Sequence, residues 1–226
     1  MNGFMNGVRA NIPLTPSVIA YSSVLGVLAA QKSIAWTYIM ALNVFMFAGS
    51  AQFVMVDMWA DPLPVTEMAI AATIVNMRYI LIAASLKDLF AGQGLLRRMS
   101  IMHFVADENW AMTMVAARKG QADIFHLLGG GMFLMLVWSC GTMAGMSLGG
   151  IIPDPQVLAL DFAFTAVFTA LAVSLWQGRQ DVLPWMVAIT ASVLTEHFVP
   201  GKWYILVGGV SGAACAAFTA PQREKA

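Results

Sequence analysis

The chain reads as an all-α polytopic membrane protein, with about seven transmembrane helices and one re-entrant or cavity-lining helix. Three observations carry that reading. Of its 226 residues 59% are hydrophobic and 11% charged, whereas a soluble domain carries about a quarter charged residues. Mean hydropathy is +0.74. Apolar stretches of about 20 residues recur along the chain, the length a helix needs to span, and no alternating segments of the barrel type occur.

Composition also excludes partners and chemistries. The formal net charge is zero, so no nucleic acid or acidic partner is implied. Cys140 and Cys215 both lie in apolar stretches and make neither a disulfide framework nor a CxxC metal site. The 17 Met and seven Trp suit lipid-facing and interfacial positions. The N-terminus lacks a basic region before its first apolar stretch, which carries Pro13 and Pro16, so a signal peptide is not expected.

The apolar stretches run over 12–30, 33–59, 64–86, 99–117, 124–148, 156–176, 182–199 and 202–220. The second would reach about 40 Å as one helix, beyond a hydrocarbon core of about 30 Å. Its "AGSAQ" at 48–52, with Gly49, permits a break. Loop charges orient the rest. The segments 57–67 and 148–155 hold acids and no base and belong outside. Lys32, Lys87, Arg97, Arg98, Arg118, Lys119, Arg179, Arg223 and Lys225 belong in the cytoplasm. All nine reach it only if 99–117 does not cross, since bases bracket that segment on both sides. It is also the most polar stretch, with His103, Asp107, Glu108 and Asn109 at its middle. Seven crossings with a cytoplasmic C-terminus follow.

A faint self-similarity relates residues 41–59 to 158–176 and 78–86 to 203–212. Within one transporter domain, 1–226, it suggests copies over about 12–90 and 124–220 in opposite senses, the inverted-repeat plan of secondary transporters.

The polar residues at depth are the informative ones. Arg78 and Asn76 are central in "IVNMRYILIAA" (74–84), Gln52 is central in the second stretch, and Asp161 lies about a turn into the sixth. An intramembrane charge marks a functional site by default. The alternative for Arg78 is an ion pair holding helices together, with Asp161 or Asp107. For Gln52 and Asn76 it is interhelical hydrogen bonding. Glu196 and His197 suit a helix end at the interface. No HExxH, nucleophile elbow or phosphate loop is present, so neither an enzyme nor a bound cofactor or metal is expected.

"FAGSAQFVMVDMW" (47–59), "VNMRYILIAASL" (75–86) and "HFVADENWAMT" (103–113) resemble, in order and spacing, the characteristic stretches of the AzlC family. The resemblance covers about 8–120 and continues only in hydropathy. One departure is Ala20, Tyr21 and Ser22, where the family commonly has a PFG-like sequence. The resemblance implies the large subunit of a proton-driven exporter of branched-chain amino acids and methionine in a bacterial cytoplasmic membrane. Its implied partner is a small AzlD-like membrane protein. An amino-acid zwitterion in a low-dielectric midplane needs a cation or a helix N-terminus for its carboxylate. Arg78 fits that need, with Asn76, Gln52 and the backbone at Gly49 toward the ammonium. Asp107, Glu108 and Asp161 are the candidates for carrying the proton. A channel or scaffold subunit is the alternative reading.

Overall fold

The computed structural model describes residues 2–149, 178–199 and 203–219, with positions 169, 173 and 176 between them. The described residues are helical, with no strand among them. Three helical runs are long and apolar enough to cross a membrane: Gly3–Gln31, Val65–Ser85 and Ile124–Gly149. Contacts divide the chain into two units, one holding 1–57 and 76–163, the other 58–75 and 164–226.

The first unit is built on two parallel rods. One comprises α1 (Asn2–Asn11), a 3-10 turn at Ile12–Leu14 and α2 (Thr15–Gln31). Pro13 and Pro16 are the second residues of these last two pieces, where a missing N–H costs little. The other rod is the long helix Ile124–Gly149. Glycines let the two backbones touch. A Cβ at Gly129 would strike the Phe4 carbonyl, one at Gly7 the His126 carbonyl, and one at Gly145 the Ser23 carbonyl. The pairs 4 with 129, 23 with 145 and 27 with 149 advance together, so the rods run in the same direction. Close approach through small residues is the usual means of packing helices where water supplies no hydrophobic drive.

Along the chain, two helical hairpins come between the rods. The stretch 33–59 was expected to be one long crossing with a break. It is broken, into α3 (Trp36–Phe45) and α4 (Gly49–Asp57), with the interruption at Met46–Ala48. But it folds back. Lys32 at its start donates to the Asp57 carbonyl at its end, and the indole Nε1 of Trp138 donates to both Asn43 (3.2 Å) and Gln52 (2.8 Å). In a straight helix those two residues would stand about 13 Å apart. The physical reason is Gln52. Its amide nitrogen donates to the Leu42 (3.2 Å) and Met46 (2.8 Å) carbonyls at the end of α3, each of which also accepts one backbone amide.

After α5 (Val65–Asn76) and α6 (Arg78–Ser85), the second hairpin comprises α7 (Leu95–Met102) and α8 (Asp107–Arg118). With these labels the long rod Ile124–Gly149 is α9. Arg97 lies over the Phe125 ring (5.3 Å), Gly131 abuts the Phe104 carbonyl, and Thr113 meets His126 (3.3 Å). The chain thus runs inward along α9 through α7 and returns beside it through α8. Asn109 does here what Gln52 does in the first hairpin. It is fully buried, its Oδ1 accepts from the Ala106 amide (2.7 Å), and its Nδ2 donates to the Leu127 carbonyl (3.0 Å). An apolar cluster of Ile82, Leu86, Phe90, Ile101, Val105, Ile124 and Leu127 closes that end of the unit.

In the second unit, α10 (Val182–Phe198) and α11 (Trp203–Thr219) pack as an antiparallel pair. Ser192 donates to the Tyr204 carbonyl at 3.2 Å, and a Cβ on Gly212 would sit 2.8 Å from Ala188. Asp161 and most of 158–176, one side of the expected repeat, lie outside the described residues.

Candidate functional site

The tips of the two hairpins meet. His103, in the break between α7 and α8, contacts the Val44 carbonyl near the end of α3 through Nε2 at 2.7 Å. Beside this contact stands Arg78, in the middle of the apolar run Val65–Ser85. Its Nη2 donates to Ser50 Oγ in the first turn of α4 (2.8 Å) and pairs with Asp107 Oδ2 in the first turn of α8 (3.1 Å). The guanidinium carbon lies 5.5 Å from the centre of the Tyr79 ring. One cation therefore ties the N-terminal ends of two half-helices, ends whose backbone dipoles favour negative charge.

Two features distinguish this from a sealed ion pair. The Arg78 and Asp107 side chains remain 32% and 44% exposed, so protein does not close over them. The pairing also uses one nitrogen: Arg78 Nε is buried without a hydrogen-bond partner among the described residues. Nearby in sequence, Asn76 Oδ1 is buried and unpartnered in the same sense. An open donor and an open acceptor two residues apart in the chain are the kinds of group that a small zwitterion needs. Leaving them empty costs about 1–3 kcal/mol each.

The expected site residues separate into two groups. Arg78 and Asp107 are brought together, with Ser50 joining them, and Asn76 ends α5 two residues before Arg78. Ser50 was not singled out from the sequence, although "AGSAQ" contains it. Gln52 is engaged at both ends of its amide, by the α3 carbonyls and by Trp138, and shapes the hairpin. Gly49 lies against the Trp138 indole, where a Cβ would come within 2.6 Å of the ring. Glu108 follows Asp107 in the first turn of α8. Asp161 falls outside the described residues.

A family model described as "AzlC protein" matches residues 13–152, which include both hairpins, Arg78 and α9. A Helicobacter pylori protein, described as an uncharacterized membrane protein, is 21% identical over 213 residues, covering 92% of each chain. The branched-chain amino acid transport protein AzlC of Bacillus subtilis is 19% identical over 206 residues, covering 90% of this chain and 80% of its own. No solved structure matches the chain.

Proposed function

Because the chain belongs to the AzlC family, we propose that it is the large membrane subunit of an exporter of branched-chain amino acids, methionine among its substrates. It works with a small AzlD-like membrane protein, and proton entry drives it. The observation that carries this reading is the half-used Arg78 at the junction of two half-helices. Discontinuous helices meeting at depth are where secondary transporters place substrate and coupling sites.

The substrate inserts into the Arg78–Asp107 pair. Its carboxylate takes the open Nε side of Arg78, a planar donor suited to paired acceptors. Its ammonium takes Asp107, with Asn76 Oδ1 as a further acceptor. A proton on Asp107 removes the charge that holds the ammonium, so proton and substrate compete for one group. Competition of that kind is what exchange of an outgoing amino acid for an incoming proton requires. Glu108 is the next acid along the proton's path, and Asp161 is a candidate to continue it. Gln52 and Gly49 hold the α3–α4 hairpin in place around the site.

Topology supports the same arrangement. The α3–α4 hairpin begins and ends at the Gln31 end of the rods, and the α7–α8 hairpin at the Ile124 end. We therefore count five crossings among the described residues, 3–31, 65–85, 124–149, 182–199 and 203–219, and take the apolar stretch 156–176, outside them, as a sixth, one fewer than the stretches suggested. Lys87, Arg97, Arg98, Arg118 and Lys119 then share the cytoplasmic side with both termini, as the positive-inside rule requires, whereas Lys32 lies at the opposite end with Gln31 and not in the cytoplasm as its charge suggested. In a variant lacking Cys140 and Cys215, single cysteines at Ser100 and Gln121 should react with an impermeant reagent from the cytoplasmic side only. Cysteines at Gln31 and Asp61 should react from the opposite side only. Labelling of Ser100 and Gln121 from opposite sides would overturn the second hairpin's return.

Reconstitution tests the activity itself. Vesicles holding the chain with its small partner should release radiolabelled leucine, valine and methionine when the external medium is acidified. The chain alone should insert and export poorly. Full export without the partner would contradict the two-subunit reading.

A further inference from the structure

Tyr21 carries a third unpartnered buried atom at this site. Its hydroxyl has no hydrogen-bond partner among the described residues. The ring itself is firmly placed. It stacks on Phe53 of α4, with centroids 4.7 Å apart and planes 13° from parallel, and meets Trp138 of α9 edge-on at 5.3 Å. Phe53 is fully buried, and Trp138 is the same indole that packs on Gly49 and bonds to Gln52. The position of the hydroxyl is thus fixed by the α3–α4 hairpin and the rod behind it. Phe53 stands one turn of α4 beyond Ser50, the hydroxyl that Arg78 holds, so Tyr21 packs on the same helix face that meets the guanidinium.

A phenylalanine would make both ring contacts and bury no orphan hydroxyl. A buried O–H without a partner is a net loss, and tyrosine and tryptophan ordinarily find a partner when buried. We propose that the Tyr21 hydroxyl donates to the substrate carboxylate beside Arg78, making Tyr21 a binding residue that selects for an α-carboxylate. The second donor explains how one guanidinium, already engaged on Nη2 by Ser50 and Asp107, still holds an anion against competition from Asp107. This inference rests on the amino-acid reading of the site given above.

The test is ligand-dependent thermal stabilisation of the purified complex, wild type against Tyr21→Phe, with leucine and with leucinamide. Without ligand, Tyr21→Phe should melt at or above the wild-type temperature. Its apparent affinity for leucine should fall about tenfold, the loss of one hydrogen bond to a charged group. Leucinamide, which has no carboxylate, should bind the two proteins equally weakly. Equal leucine affinity in both proteins would overturn the role of Tyr21 and leave the transport reading standing. A lower melting temperature or yield of unliganded Tyr21→Phe would also overturn it, by showing that the hydroxyl serves the fold. Absence of any leucine effect on the wild type would instead overturn the amino-acid reading, and this inference with it.

Discussion

Replacing Arg78 with Gln is expected to leave folded protein near the wild-type amount while leucine export nearly disappears. A hydrogen bond to a charged group contributes about 1.5–3 kcal/mol, so apparent affinity should fall about 10- to 100-fold. Arg78→Lys should lose a substantial part of the same effect, because a point charge on a flexible stem does not replace a planar fork. Folded yield should hold because Asp107 is 44% exposed and does not become a sealed, unpaired charge. Were the pair fully buried, breaking it would cost about 3–5 kcal/mol and the protein would fail to accumulate. Yield and vesicle efflux, measured together on both variants, separate these outcomes.

Gln52→Leu should behave in the opposite way. The substitution nearly conserves volume but removes the donors to the Leu42 and Met46 carbonyls and one acceptor of the Trp138 indole. Each of these groups keeps one other partner, so the cost is that of three lost hydrogen bonds, about 0.5–1.5 kcal/mol each, and a loss of roughly 2–4 kcal/mol is expected in all. The melting temperature should drop sharply and transport should fall only because folded protein does. Asn76→Leu is the matched contrast. Its Oδ1 has no partner among the described residues to lose, so stability should hold or rise while export falls. If Gln52→Leu folds normally and Asn76→Leu does not, the assignment of the two amides is reversed.

These two amides show how far the sequence was legible. Both appear as a polar residue in an apolar run, and hydropathy cannot say which bonds to its own chain and which is left open. That distinction depends on where the chain turns. The turn in 33–59 was half visible: the stretch was too long to cross once, and "AGSAQ" marked a weak point. The fold-back was hidden because two half-helices in series have the composition of one span. The α7–α8 return was more legible, because charged pairs flank it on both sides. Arg78 and Asp107 stood out as charges at depth, but the sequence left Asp161 and Asp107 as equal partners for the arginine, and it is the structure that pairs it with Asp107. Ser50 and Trp138 did not stand out, since small and aromatic residues are common in any membrane helix, and Tyr21 stood out only as part of the departure from the family pattern at Ala20–Ser22. Only their contacts show that they line or brace the site.

The central claim is that Arg78 serves the substrate and does not merely neutralise Asp107. Vesicle counterflow of radiolabelled leucine in the double variant Arg78→Gln with Asp107→Asn, reconstituted with the small partner, tests it most directly. Removing both charges relieves any structural ion pair, so a purely structural Arg78 predicts recovered transport. If Arg78 holds the carboxylate and Asp107 the ammonium, both ends of the receptor are gone. The double variant should then fold well and show no counterflow. Recovery of leucine counterflow toward the wild-type rate would contradict the account.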